Sequence, residues 1–271
     1  MIKQSMKIFD LTNKTIILTG SAGMLGTQYS HILSEAGANV VLVDVDNKKN
    51  AKLEKDLIKL YKTKPSSYCV DITNQNSIKN LVKSVVSKYK KIYGLINNAS
   101  FTPQMSTLHT AKKFEYLPLN IWNKTIDTNL TAVFLLSQEV GQNMVKNHEG
   151  VIVNIASIYG LVGADQRIYG DSNLNSPASY AATKSAVINL TRYLAAYWYK
   201  KNIRVNSISL GGVYEKNIHK KNFVKKYSER TILGRMAKPE EYNGAILFLM
   251  SEASSYMTGS NLVIDGGWTA W

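Results

Sequence analysis

Thr15-Ile-Ile-Leu-Thr-Gly-Ser-Ala-Gly-Met-Leu-Gly26 is the stretch of sequence from which the fold of the whole chain follows. Its first five residues are mostly β-branched and apolar, which is typical of a strand buried on both faces of a parallel sheet. Three glycines come next, and a helical pattern of apolar residues extends over 24–36. A strand, a glycine turn and a helix in this order point backbone N–H groups and a helix N-terminus at a pyrophosphate. A tight turn with close helix–strand packing would use the same glycines, so the spacing alone leaves both interpretations open.

A second predicted strand supports the nucleotide interpretation. Residues 40–43 form a short apolar run that ends in Asp44. In dinucleotide-binding folds, an acidic residue about 20 residues beyond the glycine motif holds the adenosine ribose. Asp44 lies near that distance from Gly20, so we predict that it has this role.

The composition indicates one globular unit without a membrane segment. The chain has 271 residues, of which 45% are hydrophobic, and its apolar blocks are about the length of 245–250. A bilayer span needs about 20 apolar residues, and the first residues lack the apolar core of a signal peptide. Cys69 is the only cysteine, which excludes an internal disulfide. We therefore expect a single domain over 1–271, a cytoplasmic location and no membrane association.

The charge balance is strongly basic. Lysine and arginine number 33 against 19 aspartate and glutamate residues, a formal net charge of +14. Most are single lysines on predicted helices, which is typical of solvated faces; a preference for anionic ligands is the sharper interpretation. The chain lacks the clustered arginines and interleaved aromatic residues of a nucleic-acid-binding surface, so we predict no nucleic-acid partner.

Strands and helices alternate along the remainder of the chain. The predicted strands are 15–19, 40–43, 67–70, 93–96, 151–156, 204–208 and 262–264. The predicted helices are 24–36, 48–61, 75–89, 120–146, 179–200 and 240–251. This alternation predicts a Rossmann-like, doubly wound sheet of seven parallel strands with helices on both faces. Substrate-loop insertions are expected at about 100–118, 160–177 and 212–236.

Motif residues follow the carboxyl ends of six predicted strands. They are Gly20, Asp44, Asp71, Asn97, Ser157 and Gly211. Ligands of open α/β sheets bind beyond the carboxyl ends of the strands. We therefore expect these residues to line one cleft.

The clearest candidate for catalysis is Tyr180-Ala-Ala-Thr-Lys184. Positions i and i+4 share one helix face, which brings the lysine ammonium close to the tyrosine hydroxyl. A free tyrosine has a pKa of about 10, and a nearby positive charge lowers that pKa towards the range of general acid–base chemistry. The same spacing is also common on exposed helix faces, where it has no function.

Two other residues accompany this pair. Ser157 ends a predicted strand, so its hydroxyl is expected to hydrogen-bond a substrate oxygen; a turn or cap role is the alternative. Asn129 lies inside a predicted helix, where asparagine is unfavourable. Its amide is expected to hold a water near Lys184, and the alternative is an exposed helix position.

These motifs together resemble the short-chain dehydrogenase/reductase family over essentially the whole chain. The matching pieces are Thr19-Gly-Ser-Ala-Gly-Met-Leu-Gly26, Asp44, Asp71-Ile72, Asn97-Asn-Ala99, Asn129, Ser157, Tyr180-x-x-x-Lys184, Asn206-Ser-Ile-Ser-Leu-Gly211 and Ile264-Asp-Gly-Gly267. The resemblance implies NAD(P)-dependent hydride transfer between a nicotinamide and a carbonyl or secondary alcohol. It makes Tyr180 the proton donor or acceptor, while Ser157 orients the reacting oxygen. Lys184 would bind the nicotinamide ribose, and Asn129 would complete a water-linked proton relay.

The resemblance also implies a set of cofactor-binding residues and no metal site. The set is Gly20, Ser21, Gly23, Met24, Leu25, Gly26, Asp44, Asp71, Ile72, Asn98, Ala99, Tyr180, Lys184, Gly211 and Val213. Three residues depart from the family pattern. Met24 stands at the usual second glycine, Ser100 replaces the glycine after Asn-Asn-Ala, and Leu210 replaces the proline before Gly211.

The cofactor is expected to be NAD(H). The Asp44 carboxylate can accept hydrogen bonds from both ribose hydroxyls. It would repel a 2′-phosphate by about 1 kcal/mol in water and about 3 kcal/mol at an intermediate dielectric. Lys48 and Lys49 follow closely enough to soften this repulsion, so NADP(H) stays open.

The later insertions suggest a small, anionic substrate. Arg167 and Tyr169 are expected to contact it, and 214–230, the expected mobile lid, carries several lysines. The pattern over 157–180 resembles the flagellin-modification oxidoreductases, which implies a phosphorylated or nucleotide-linked sugar in bacterial surface-glycan biosynthesis. The alternatives are a 3-oxoacyl-carrier-protein-type ketoreductase and a catalytically silent cofactor-binding sensor. By resemblance we also expect a homodimer or homotetramer, for which the aromatic end of the 179–200 helix offers a surface.

Overall fold

The structure, a computed structural model, describes residues 6–102, 113–172, 175–216 and 218–271. Its strands are β1 Thr15–Thr19, β2 Asn39–Asp44, β3 Ser66–Cys69, β4 Gly94–Asn97, β5 Gly150–Ser157, β6 Ile203–Leu210 and β7 Asn261–Ile264. They form one parallel sheet in the order β3-β2-β1-β4-β5-β6-β7. The prediction of a seven-stranded parallel sheet is confirmed. β5 and β6 are longer than predicted, because they continue to pair side by side as far as Ser157 and Leu210.

The strand order places a cleft beyond the carboxyl ends of the central strands. All five residues of β1 are buried, and Ile17 pairs with Val41 of β2 on one side and Leu95 of β4 on the other. The chain winds outward in one direction from β1 to β3 and in the other from β4 to β7. Such a reversal between β1 and β4 leaves a crevice at their carboxyl ends, where dinucleotides bind in folds of this kind.

Helices cover both faces of the sheet. They are α1 Met24–Glu35, α2 Asn47–Leu60, α3 Gln75–Tyr89, α4 Leu119–Ile126, α5 Ala132–Asn147, α6 Ala178–Tyr197, α7 Lys221–Ser228 and α8 Asn243–Met250. Leu33 of α1 and Ile246 of α8 belong to one apolar core. Val85 of α3 and Val140 of α5 belong to the core on the opposite face. The alternation of side chains along buried strands supplies apolar residues to both cores.

The long helix predicted over 120–146 is interrupted. α4 ends at Ile126, a turn of π-helix covers Asp127–Thr131, and α5 follows. The N–H of Ala132 donates to the carbonyl of Asp127, five residues earlier. A π-turn inserts one residue into the helix and is frequent at functional sites, and this one contains Asn129.

The insertions cover the carboxyl end of β5 and β6. Residues 103–112 of the first expected insertion lie outside the described residues. Tyr169 and Tyr227 from the other two insertions pack with Tyr159 and Trp268 in a third, separate core. Within the described ranges, none of the helices combines the length and the apolar composition required to cross a membrane.

Candidate active site

The glycine turn after β1 forms a cradle for a phosphate group. Gly20 has a φ of +65°, and a Cβ on it would lie 2.8 Å from the Cα of Ala99. A Cβ on Gly26 would overlap the carbonyl oxygen of Gly20. The first position needs left-handed backbone and the second needs close contact between α1 and the turn, so both require glycine. α1 begins directly after Gly23, and the first N–H groups of a helix have no partner within it.

A hydrogen-bond network between β1 and β4 fixes this turn. The side-chain amide of Asn98 donates to the carbonyls of Thr19, at 3.0 Å, and Gly20, at 3.1 Å. The hydroxyl of Thr19 accepts from the N–H groups of Asn98 and Ala99, both at 3.1 Å. Thr19 is absent from the predicted site residues, although its place directly before Gly20 was a usable signal.

A groove of about 960 Å³ extends from the turn across the ends of β1, β2 and β4. The predicted cofactor residues that line it are Gly20, Gly23, Met24, Leu25, Gly26, Asp44, Asp71, Ile72, Asn98 and Ala99. This is the place and the size of cavity that a dinucleotide needs. The glycine cradle and the open helix N-terminus therefore fit a pyrophosphate, the group that the sequence predicts there.

Asp44 is held in place at the end of β2. One oxygen of its carboxylate accepts from the N–H of Ala22 at 3.0 Å, and the other accepts from the N–H of Asp46 at 2.9 Å. The carboxylate is only partly buried and lines the groove. The same hydrogen bonds tie the glycine turn to the loop after β2.

Asp71 carries a charge on the opposite wall of the groove. The hydroxyl of Thr73 donates to its carboxylate at 2.7 Å and the N–H of Thr73 donates at 2.9 Å. These two bonds hold the pKa of the Asp71 carboxyl below its usual value, although burial opposes them. Asp71 is therefore ionised at neutral pH.

One predicted cofactor residue, Ser21, does not line the groove. Ser21 is fully buried, and its hydroxyl donates to Asn50 of α2 at 2.7 Å. The N–H of Ser21 also donates to the carbonyl of Val43 at 3.3 Å. Both polar groups of Ser21 therefore bond within the protein, and the side chain does not line the groove. Met24 stands at the first position of α1 with 38% of its surface exposed, so a flexible side chain occupies the edge of the groove.

A second cavity of about 310 Å³ adjoins the groove. Met24, Leu25 and Asn98 line both cavities. The predicted residues that line the second cavity are Met24, Leu25, Asn98, Ser157, Tyr180, Lys184, Gly211 and Val213. The structure therefore brings the serine, tyrosine and lysine together in the cavity that adjoins the groove.

Ser157, Tyr180 and Lys184 form one polar group, in which Ser157 and Lys184 are buried and Tyr180 is partly buried. The Ser157 hydroxyl lies close enough to the Tyr180 phenol to act on its pKa. The Nζ of Lys184 lies 5.5 Å from the centre of the Tyr180 ring and donates to the carbonyl of Ile155 at 2.8 Å. Lys184 is only 4% exposed, because α6 packs against β5 at this point.

The protonation of this group differs from the expectation. Burial raises the pKa of Tyr180, and the Ser157 hydroxyl opposes that change only partly. Burial also lowers the pKa of Lys184 to about 8. The predicted lowering of the tyrosine pKa by the lysine is therefore wrong for the protein alone, because both groups lose water together. Tyr180 is a neutral phenol at neutral pH, ready to donate its proton.

Asn129 lies in the π-turn and is only 1% exposed. The alternative of an exposed helix position is therefore wrong. Its side-chain oxygen accepts from the N–H of Phe101 at 2.7 Å, and its amide donates to the carbonyl of Phe101 at 3.0 Å. The side chain therefore fixes the loop after β4. Phe101 lines the groove, so Asn129 shapes the cofactor side of the site.

Aromatic side chains form the outer walls of the second cavity. Tyr159, Tyr169, His219, Phe223 and Tyr227 line it together with Met236. The hydroxyl of Tyr227 accepts from the N–H of Gly212. Apart from Tyr169, these residues were not predicted individually as substrate contacts, although all but Tyr159 lie in the expected substrate-loop insertions.

Arg167 lies away from the cavity. Its side chain is 80% exposed and pairs with the carboxylate of Asp165 at 2.8 Å. The same carboxylate binds Arg230, beyond α7, at 3.1 Å. Asp165 therefore connects the 160–177 insertion to the end of the lid, a contact for which the sequence contains no local signal.

A parallel sheet with a phosphate cradle beside a buried serine, tyrosine and lysine defines a dinucleotide-dependent oxidoreductase. A family profile described as enoyl-(acyl carrier protein) reductase matches residues 20–269. The chain belongs to the short-chain dehydrogenase/reductase family and is an NAD(P)-dependent oxidoreductase.

Similar proteins cover nearly the whole chain. An NAD-dependent glycerol dehydrogenase of Listeria innocua is 33% identical, over 97% of this chain and 96% of its own. A 3-oxoacyl-(acyl-carrier-protein) reductase of Thermotoga maritima is also 33% identical, over 95% of this chain and 98% of its own. The crystal structure of a short-chain dehydrogenase from Leptospira borgpetersenii with bound NAD+ has a TM-score of 0.81 and 34% identity, covering 96% of this chain and 94% of that one.

Proposed function

We propose that this protein uses NAD(H) to interconvert a small, uncharged secondary alcohol and its ketone. The observation that carries the proposal is the junction of the two cavities. The two cavities share Met24, Leu25 and Asn98, and the smaller one, of about 310 Å³, is lined by Ser157, Tyr180 and Lys184. That volume is at the lower end of the range for ligand pockets, about 300 Å³.

The proposed proton chemistry follows from the burial of these side chains. In the direction of reduction, the neutral Tyr180 donates its proton to the substrate oxygen, which Ser157 orients by a hydrogen bond. In the direction of oxidation, Tyr180 must accept a proton, and the ammonium of Lys184 stabilises the phenolate. The bound nicotinamide supplies or accepts the hydride. The pairing of the Tyr180 phenol with the Lys184 ammonium on α6 therefore serves both directions of the reaction.

The preference for NAD(H) rests on Asp44. Both carboxylate oxygens are fixed by backbone N–H groups at the edge of the groove, so the charge cannot turn away easily. A 2′-phosphate at this edge would meet a repulsion of about 1 to 3 kcal/mol. The relative from Listeria innocua is named as NAD-dependent, which supports this assignment.

The walls of the substrate cavity favour an uncharged substrate over the anionic sugar that the basic composition suggested. Of the described residues that line this cavity, Lys184 is the only lysine or arginine. Arg167 points outward, and Lys220, Lys221 and Lys225 of the lid are exposed. Aromatic walls with a few polar groups suit an alcohol or ketone with an apolar face.

A carrier-bound 3-oxoacyl substrate is the second candidate. The exposed lysines of α7 lie on the lid that borders the cavity, where they suit an acidic carrier protein. The similarity to a 3-oxoacyl-(acyl-carrier-protein) reductase favours the same candidate. A catalytically silent sensor is less well supported, because Ser157, Tyr180 and Lys184 are all present and in contact.

The quaternary structure and location stay proposals. Tyr193, Tyr197 and Tyr199, at the end of α6, are 61%, 67% and 72% exposed, and two of the rings stack at 5.9 Å. Such an exposed aromatic surface supports a homodimer or homotetramer. Cys69 is a free, exposed thiol, which fits a reducing compartment such as the cytoplasm.

The experiment is a substrate panel followed by NADH absorbance. It contains cyclopentanol, glycerol, xylitol, fructose 6-phosphate with NADH, and acetoacetyl thioester with NADH, each repeated with NADP(H). We expect turnover of the uncharged alcohols with NAD+, and none by a Ser157→Ala variant. Turnover of the thioester alone would establish the second candidate, and turnover of fructose 6-phosphate alone would restore the sugar-phosphate hypothesis. NADH binding without turnover of any compound would contradict the proposed reaction.

A further inference from the structure

His219 lies in the segment between β6 and α7 and contributes the imidazole to the wall of the substrate cavity. Its ring is stacked on Phe223 of α7, with 5.2 Å between centroids and 12° between planes. The ring of Tyr214 stacks on the histidine at 6.3 Å and 28°. His219 is therefore held in one orientation by aromatic contacts, although it is only half-buried.

The hydrogen bonds of the ring determine where its proton lies. Nδ1 lies 3.0 Å from the backbone N–H of Glu215, which can only donate. Nδ1 must therefore be the acceptor, and the proton of the neutral ring is on Nε2. Burial lowers the pKa of His219, and the nearby Glu215 opposes this only partly, so the ring is neutral at pH 7.

The Nε2–H group is available to a ligand. Among the residues that the structure describes, none accepts a hydrogen bond from Nε2. The cavity wall around it is aromatic, formed by Phe223, Tyr169 and Tyr227. A donor in such surroundings loses water when a substrate enters, and the loss is costly unless the substrate supplies an acceptor. Stacking alone would be served equally well by phenylalanine.

We propose that His219 forms a second polar subsite, which takes a hydroxyl oxygen of the substrate other than the reacting one. The inference rests on the proposed function and narrows its substrate class to polyols and hydroxyketones. Tyr180 and Ser157 hold the reacting oxygen at the inner end of the cavity. His219 holds a neighbouring hydroxyl from the lid, since it lines the same cavity of about 310 Å³ as Ser157 and Tyr180.

Two substitutions of His219 distinguish the role of Nε2 from that of Nδ1. His219→Gln places an amide donor near the position of Nε2, whereas His219→Asn places an amide oxygen near Nδ1, where it can still accept from Glu215. Glycerol and xylitol carry further hydroxyls, and cyclopentanol carries only one. The measurement is kcat and KM for the three alcohols with NAD+ in the wild type, both variants and Lys225→Ala, an exposed control on the same lid.

The expected result is a loss that depends on both the variant and the substrate. His219→Asn should lower kcat/KM for glycerol and xylitol about tenfold, mainly through KM, which is the range of one lost hydrogen bond. Its kcat/KM for cyclopentanol should change less than about twofold, which also shows that the variant is folded. His219→Gln should restore most of the polyol activity, and Lys225→Ala should match the wild type.

Every other pattern of kinetic effects would contradict the proposed subsite. Equal losses on cyclopentanol and the polyols would mean that His219 only supports the lid. Unchanged polyol activity in His219→Asn, or an equal loss in His219→Gln, would mean that Nε2–H contacts no substrate. A wild-type protein that oxidises cyclopentanol but neither polyol overturns the subsite while the proposed function stands. A wild type that oxidises none of the three alcohols overturns both.

Discussion

The cofactor side and the substrate side of this active site are built in different ways. The groove is formed by backbone at the ends of β1, β2 and β4, and its contacts join residues that are fixed by the glycine turn, such as Asn98 with Gly20. The substrate cavity is formed by side chains from three separate segments, which meet in the core of Tyr159, Tyr227 and Trp268. The close backbone contacts of the cofactor groove permit few residue types. In the substrate cavity, by contrast, several side chains can be exchanged together. We therefore expect substitutions to have unequal effects in the two halves.

The largest difference is expected between two glycines. Gly26→Ala puts a Cβ onto the carbonyl of Gly20, whereas Gly163 in the substrate insertion has no atom within 4 Å of its ideal Cβ. Gly26→Ala should lower the free energy of unfolding by about 1 to 3 kcal/mol, the range of overpacking, and weaken NADH binding at least about tenfold, because the cradle must open. Gly163→Ala should change stability by less than about 0.5 kcal/mol. Denaturant titration and NADH fluorescence measure both, and equal effects of the two would remove the distinction between the halves.

Lys184, at the boundary of the halves, should give stability a distinctive pH dependence. Burial lowers its pKa to about 8 in the folded protein, against about 10.4 when unfolded. Between these values the unfolded chain binds more protons, so the lysine makes stability increase with pH, by at most about 3 kcal/mol. Denaturant titrations from pH 7 to 10 should show this increase in the wild type relative to Lys184→Met. Parallel curves would contradict it, and Lys221→Met, an exposed control, should follow the wild type.

Asp44 tests whether the groove selects its cofactor by charge. Asp44→Asn keeps the shape of the side chain but removes the repulsion of a 2′-phosphate. The preference for NADH over NADPH, measured as a ratio of dissociation constants, should fall about 5- to 150-fold, the equivalent of about 1 to 3 kcal/mol. Asp46→Asn is the matched control, because Asp46 caps α2 through the N–H of Lys49. An equal change in both variants would assign the effect to net charge rather than to the groove.

The smallest effect is expected at the ion pairs of the lid. Asp165→Asn weakens the connection to Arg230, which also packs over Trp268 at 5.9 Å. We expect KM for the alcohol to rise about two- to fivefold, since partly exposed ion pairs contribute about 0.2 to 1 kcal/mol, while KM for NADH stays unchanged. Arg167→Ala should leave both constants alone because its side chain is 80% exposed. A larger effect on NADH than on the alcohol would contradict the division into halves.

The sequence predicted the cofactor half in detail because its signals are local. The run before Gly20 is buried as β1, Asp44 ends β2, and Asp71 and Asn98 follow β3 and β4 closely. Ser21 shows the limit, because a motif places a residue in the turn but does not say which way its hydroxyl points. The direction depends on Asn50, a contact that lies 29 residues along the chain.

The substrate half was predicted only in outline. Arg167 was expected to contact the substrate, but it points outward, and Asp165 makes the ion pair with the lid, because a charged pair two residues apart leaves open which member faces inward. The π-turn at Asp127–Thr131 has no sequence signal beyond the unfavourable Asn129. The tyrosine pKa was also mistaken, since spacing gives the distance between phenol and ammonium but not the water that both lose on burial.

The most direct test of the central claim removes one oxygen atom from the boundary of the two halves. In Tyr180→Phe, the dissociation constant for NADH, measured by fluorescence titration, should stay within about threefold of the wild type, because the groove is intact. The value of kcat/KM for the alcohol that the wild type uses should fall by about 10²- to 10⁴-fold, the contribution of general acid–base catalysis. Unchanged turnover with intact NADH binding would show that Tyr180 transfers no proton and would contradict the account.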